Sequence, residues 1–266
     1  MHDSPAIDVV ELTKFYGSFC AVDKISFQVQ PGQIFGLLGP NGAGKSTTLK
    51  MLTTLLPPSS GTAKILGSDI VKNPTETRRK IGYVPQLLSA DGDLTAYENL
   101  SLSAKLYGLS SSYRKQRIAE VLEFMGLLPN ADQLVSQFSG GMIRRLEIAQ
   151  ALLHKPDVLF LDEPTTGLDP SARSILWNRI QDWRKNFHTA ILITTHDMDE
   201  ADKECDWVAF LHHGQIVVQD TPEKLKKTIS ASATLDDVFI KYTESSMEKA
   251  DFTHVWQTRR THKRLG

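Results

Sequence analysis

Residues 34–47, Ile34-Phe35-Gly36-Leu37-Leu38-Gly39-Pro40-Asn41-Gly42-Ala43-Gly44-Lys45-Ser46-Thr47, decide the fold. An apolar run of strand character passes into a segment that fits G-x-x-x-x-G-K-[ST], with Lys45 and Ser46 closing the pattern. A helical pattern follows, with Leu49, Leu52 and Leu56 on one side and a stop at Pro57-Pro58. Gly42 and Gly44 let the backbone turn so that successive N–H groups face phosphate oxygens. The loop opens a helix N-terminus, whose partial positive charge also favours anions. In this setting Lys45 sits against the β- and γ-phosphates and the Ser46 hydroxyl ligates Mg²⁺.

Outward from that loop the chain alternates like a half-buried sheet at Ile7-Asp8-Val9-Val10 and Ile25-Ser26-Phe27-Gln28-Val29, with a turn at Pro31-Gly32. Ala63–Leu66 and Ile81–Val84 read as further short strands. From Leu94 to Leu128 the period becomes helical, predicting helices over Thr95–Tyr107 and Ser112–Met125 as an insert between core strands. Val158–Leu161 and Ala190–Ile193 are continuous apolar runs, as parallel strands buried on both faces require. Between them Asp169 caps a helix with Pro170 at its first position and Ala172, Leu176, Ile180 and Trp183 on its apolar side. Residues 244–266 lose the apolar period and end in a basic run, a tail expected to be flexible.

Composition bounds the rest. The 266 residues suffice for one or two domains, and 30 basic against 31 acidic residues leave a net charge of −1, without the footprint of nucleic-acid binding. The first residues lack the basic start and apolar stretch of a signal peptide, and no apolar run approaches the roughly 20 residues of a membrane-spanning helix. Cys20 and Cys205, far apart in sequence, are expected as buried thiols in a soluble cytosolic protein.

Three further segments carry chemistry. Val158-Leu159-Phe160-Leu161-Asp162-Glu163 is a buried strand ending in two carboxylates, where open α/β sheets bind ligands. Phe138-Ser139-Gly140-Gly141-Met142 precedes an amphipathic helix with Met142, Leu146, Ala149 and Leu153 on its apolar side, and Ser139 alone reads as an N-cap. His196 follows Thr194-Thr195 at a strand end, a place where a lone histidine is usually structural.

Taken together these segments resemble the nucleotide-binding subunit of ABC transporters over about residues 5–240. The Walker A segment matches Gly39–Thr47, the Q-loop glutamine Gln86, the signature Phe138–Met142, the Walker B segment Val158–Glu163, the D-loop Gly167–Pro170 and the switch histidine His196. Phe138 stands where the family has Leu and Met142 where it has Gln; with Arg144, Arg145 and the Leu235–Phe239 segment, this is similar to the drug-resistance branch of exporters.

The resemblance implies a P-loop NTPase (RecA-like) α/β core with an antiparallel β subdomain and an inserted α-helical subdomain. The cassette spans 5–243, with the insert at about 87–155. It implies two copies, a homodimer or paired ATPase subunits, set head to tail around two Mg-ATP. Phosphates are held by Gly39, Pro40, Asn41, Gly42, Ala43, Gly44, Lys45, Ser46 and Thr47 of one copy and by Ser139, Gly140 and Gly141 of the other. Ser46, Gln86 and Asp162 hold Mg²⁺, Glu163 orients the attacking water and takes its proton, and His196 contacts the γ-phosphate and steadies Glu163. Asp169 communicates across the dimer, and Tyr16 stacks on adenine while Phe15 faces the core.

The implied partner is a separately encoded transmembrane permease, which places the chain peripherally on the cytoplasmic face of the cell membrane; no nucleic acid is expected. Alternatives are a non-transport ABC ATPase acting on DNA or ribosomes, or an importer ATPase. Leu87 and Leu88 lie in what should be an exposed loop, as either partner contacts or packing for the insert. Asp91 and Asp93 are partner contacts or solvated loop acids. His212-His213 reads as a turn before Gly214 and not as a metal pair, since consecutive strand residues face opposite ways.

Overall fold

The structure, a computed structural model, describes residues 4–243. In chain order it contains β1 (Ile7–Tyr16), β2 (Phe19–Val29), β3 (Ile34–Leu38), α1 (Lys45–Leu52), β4 (Ser60–Ile65), β5 (Ser68–Asp69), α2 (Pro74–Lys80) and β6 (Ile81–Val84). Three helices follow, α3 (Ala96–Leu106), α4 (Ser111–Phe124) and α5 (Gly140–Leu152). The chain then returns through β7 (Val158–Asp162), α6 (Pro170–Phe187), β8 (Ala190–Thr195), α7 (Met198–Glu204), β9 (Trp207–His212), β10 (Gln215–Asp220) and α8 (Pro222–Lys227), and a last helix covers 235–243.

Two sheets result. The antiparallel one has the order β2-β1-β4-β5; the other runs β10-β9-β3-β8-β7-β6, with only β10 antiparallel. Strands β3, β7 and β8 are buried at every residue, because both faces of this sheet are covered. The strand period of two sorts their side chains. Phe35, Leu37, Phe160 and Leu192 meet α1 and the antiparallel sheet, whereas Leu38, Leu161, Ile193 and Phe210 meet the helices.

The three inserted helices leave the core between β6 and β7 and stay tied to it. Thr95 and Glu98 form a reciprocal capping box that starts α3. Trp183 of α6 is 1% exposed, donates to Thr189 Oγ1 at 3.0 Å, and meets the Phe124 ring edge-on at 5.5 Å between centroids. That aromatic contact bridges core and insert.

Several sequence expectations shift. Helix α1 ends at Leu52, not near Leu56, because the backbone turns left-handed at Thr54, φ 63°. Phe15 is 47% exposed instead of facing the core: the β1–β2 register slips between Lys14 and Phe15, and the tip of the hairpin passes beyond the packed layer. Cys205 is buried, but Cys20 on the same hairpin is only half-buried; both are free thiols. His212 and His213 do not diverge. His213 has left the strand for a left-handed turn at φ 46°, so strand alternation no longer applies and the two rings lie 4.1 Å apart. Asp91 and Asp93 are exposed, with the Asp91 N–H donating to buried Asn99 and Asp91 Oδ1 accepting from the Asp93 N–H. The basic tail at 244–266 lies outside the described residues.

Candidate functional site

The loop after β3 is shaped by contacts that admit no Cβ. At Gly39, φ 150°, an added Cβ would stand 2.2 Å from Leu211 O, and at Gly44, φ 109°, 2.5 Å from Ala21 O. The loop therefore wraps closely over β9 and the β1–β2 hairpin before α1 begins at Lys45. Lys45 is 5% exposed, and its Nζ donates to Gly39 O at 2.7 Å and Pro40 O at 3.2 Å. The ammonium is thus held under its own loop. The first N–H groups of α1 have no helical acceptors of their own and remain available to an anion.

Parallel strands bring the acids to the same edge. Asp162 ends β7 in register with Thr194 of β8, whose hydroxyl donates to Asp162 Oδ1 at 2.5 Å. The Ser46 hydroxyl donates to the same oxygen at 3.1 Å. This pair of hard oxygen donors fits Mg²⁺, which takes one or two carboxylates and leaves positions for substrate phosphates and water.

Glu163 follows in the left-handed region, φ 48°. Its N–H donates to Thr194 O at 3.1 Å and Thr194 Oγ1 at 3.0 Å, which fixes the turn. The carboxylate lies 3.4 Å from Lys45 Nζ and 3.2 Å from His196 Nδ1. It accepts from Gln86 Nε2 at 3.3 Å and Thr166 Oγ1 at 3.1 Å. Burial pushes the Glu163 carboxyl up, but Lys45, the Thr166 hydroxyl and His196 together hold it below the usual carboxylate range. It is therefore ionised at neutral pH, better suited to orient a water than to bind its proton tightly.

The cavity at this edge, about 550 Å³, is lined by Tyr16, Phe19, Ala21, Pro40, Asn41, Gly42, Gly44, Lys45, Ser46, Thr47, Gln86 and Glu163. Tyr16 thus shares the cleft with the phosphate loop, and Phe15 does not. Ser139, Gly140, Gly141 and Asp169 are absent from its lining. Ser139 Oγ caps α5 by accepting from the Met142 N–H at 3.3 Å, and Asp169 caps α6 by accepting from the Ser171 and Ala172 N–H groups, both at 3.0 Å. An added Cβ at Gly141 would meet Ala172 Cβ at 2.9 Å, so the two helix starts pack tightly together.

Two residues that hold the acidic pair, Thr194 and Thr166, and one that lines the cleft, Phe19, were not singled out from the sequence. Thr194 was signalled by two polar residues closing an apolar strand, Thr166 by its place directly after the acidic pair. Phe19 was signalled by its position across the Gly17 turn from Tyr16, with which it pairs.

A family model described as ABC transporter matches residues 22–166. The Nod factor export ATP-binding protein I of Cupriavidus metallidurans is 44% identical over 212 residues, covering 80% of this chain and 70% of that protein. The daunorubicin/doxorubicin resistance ATP-binding protein DrrA of Streptomyces peucetius is 42% identical over 227 residues, covering 85% and 68%. Among solved structures, an ATP-binding subunit of an ABC transporter aligns with a TM-score of 0.80 at 30% identity, covering 90% of this chain and 99% of that one. A dimeric ATP-binding cassette in a post-hydrolysis state with ADP and Pi aligns at 0.74 and 26% identity, covering 81% and 98%.

Replacing Lys45 by Ala removes the only ammonium that touches Glu163 among the described contacts. The Lys45→Ala protein should bind ATP roughly 10- to 100-fold more weakly in a Mg²⁺-containing titration, the loss expected for a charge-assisted contact to phosphate. Equal affinity for the two proteins would remove Lys45 from the site.

Proposed function

Because the chain belongs to the ABC transporter family of ATP-binding proteins, we propose that it powers a membrane exporter as one of two ATP-hydrolysing subunits. Its cassette is assigned to residues 5–243, with residues 87–155 as the helical insert. The observation that carries this reading is the convergence of Lys45, Gln86, Thr166 and His196 on Glu163, all within 3.4 Å, at the mouth of the phosphate loop. Export is supported by the relatives named for Nod factor export and for daunorubicin/doxorubicin resistance.

In this reading the N–H groups of residues 42–47 and the Lys45 ammonium bind the phosphates, with Tyr16 against adenine. When bound, Mg²⁺ neutralises phosphate charge; Ser46 and Asp162 hold it, with Gln86 beside them. Glu163 orients water for in-line attack on the γ-phosphorus and accepts its proton, while His196 and Thr166 keep the carboxylate in place. The bond to the leaving ADP oxygen breaks and inorganic phosphate departs. Ser139, Gly140 and Gly141, at a helix N-terminus outside the cleft, engage the nucleotide of a second copy, and Asp169 lies at the same junction. ATP then holds two subunits together until its terminal phosphate is cut.

Among the described residues no helix is long and apolar enough to cross a membrane. A separate permease supplies the spans in this proposal, and the subunit works on its cytoplasmic face. Leu87 and Leu88, 81% and 52% exposed directly after Gln86, are the proposed docking contacts.

Glu163→Gln keeps the shape of the side chain but cannot take a proton. Hydrolysis should fall by at least about 10²-fold while ATP still binds, and an ATP-dependent dimer should accumulate in size-exclusion runs. Normal turnover would move the catalytic role elsewhere, with Asp162 first to be examined. Leu87→Asp combined with Leu88→Asp should abolish copurification with a coexpressed permease and leave ATP affinity unchanged, because docking would bury two unpaired charges. Undiminished copurification would place the docking surface elsewhere.

A further inference from the structure

Helix α5 carries two charged residues that the hydrolytic scheme does not use. Arg144 and Glu147 are each 3% exposed and form an ion pair at 3.0 Å. The guanidinium also donates from Nη1 to Pro85 O at 2.7 Å and from Nη2 to Gln86 O at 2.7 Å. Glu147 Oε1 accepts from the Ser89 N–H, and from the Ser89 hydroxyl at 3.1 Å. A single buried pair thus grips the loop after β6 at both ends.

The loop has little else to hold it. Among the described residues, the N–H groups of Gln86 to Ser89 make no hydrogen bond to a main-chain carbonyl outside the regular elements. Leu87 and Leu88, between the two grips, point into solvent. Gln86 is therefore held from two directions: its side chain by Glu163 at 3.3 Å and its carbonyl by Arg144. From Arg144 the connection to Ser139 is five residues, about 7 Å of capped helix. A guanidinium fork can span two adjacent carbonyls and a carboxylate at once, which a lysine ammonium on a flexible stem does less well.

We propose that the Arg144–Glu147 pair is a positioning strut that makes the Gln86–Ser89 loop and the start of α5 one moving body. Placing Gln86 beside the γ-phosphate and presenting Ser139–Gly141 to the second nucleotide then become a single event. This rests on the reading of Gln86 and the α5 start given under the proposed function. The strut passes through main-chain carbonyls, so it binds loop to helix whatever side chains Leu87 and Leu88 present to a partner.

The test uses the full chain. Arg144→Met with Glu147→Met removes both charges, so neither is left buried and unpaired. The unbranched Met side chain adapts to the space left. The double variant should unfold within a few degrees of the wild type and bind Mg-ATP within about threefold, while kcat falls by about tenfold or more with KM for ATP unchanged. Hydrogen exchange should report the uncoupling directly. In the wild type Mg-ATP should slow exchange over residues 86–89 and 139–143 together; in the variant one segment should respond without the other.

A folded variant with wild-type kcat, or with joint protection of both segments, overturns the proposal. Arg144→Lys keeps the charge and loses the fork, and it should show the same kcat-only loss at roughly threefold to tenfold. If the double variant does not fold, unchanged kcat in Arg144→Lys overturns the proposal by itself. A wild-type chain that binds Mg-ATP without hydrolysing it would instead overturn the functional reading beneath it.

Discussion

Glu163 stands in a left-handed conformation, φ 48°, that a residue with a Cβ adopts at a cost on the order of 1–3 kcal/mol. It persists because its surroundings over-determine it. Thr194 takes its N–H from two sides, and four side chains from four different segments hold its carboxylate. The turn re-aims the chain at the end of β7, so that Asp162 faces Ser46 while Glu163 faces Lys45 and Gln86. Without that turn, two adjacent strand residues would point to opposite faces and only one could serve the cleft.

The sheet supplies this constraint cheaply. Parallel β3, β7 and β8 all end at one edge, so the phosphate loop, the acidic pair and Thr194–His196 arrive together without a long connection. Burial of both sheet faces excludes water beneath the cleft, which strengthens the interaction of Lys45 with Glu163 and makes any unpaired charge there costly. The inserted helices reach the same edge by a different route. Arg144 and Glu147 hold the Gln86 loop from α5, and Trp183 joins α6 to Phe124 of α4. The Gln86–Ser89 loop is thereby bonded to a largely buried helix.

Sequence reading recovered what periodicity and motif spacing encode. The buried runs Val158–Leu161 and Ala190–Ile193 are strands and Asp169 caps a helix with Pro170 at its start, as the pattern implied; Leu87 and Leu88, left open between partner contact and packing for the insert, are exposed. It lost what depends on a neighbour distant in sequence. The exposure of Phe15 follows from a slip in pairing with β2, which leaves no local signature; at His212 and His213 the turn before Gly214 was legible, but not that its left-handed residue brings the two rings together. Thr194 showed only as a polar residue closing an apolar strand, and the role of the Arg144–Glu147 pair not at all, since their partners lie 32 and 58 or 59 residues away. Motif spacing pointed to Lys45, Ser46, Gln86 and Glu163, which line the cleft, and missed Phe19; only the packing showed how each is held.

The central claim is that a complete site takes its phosphate loop from one copy and Ser139–Gly141 from another. Mixing Lys45→Ala protein with Ser139→Ala protein, at an ATP concentration where neither alone hydrolyses measurably, tests it most directly. In a two-fold dimer that exchanges subunits at random, half the dimers are mixed and each mixed dimer contains one intact composite site. ATP hydrolysis should therefore recover to about a quarter of the wild-type rate. No activity above that of either variant alone would contradict the shared site.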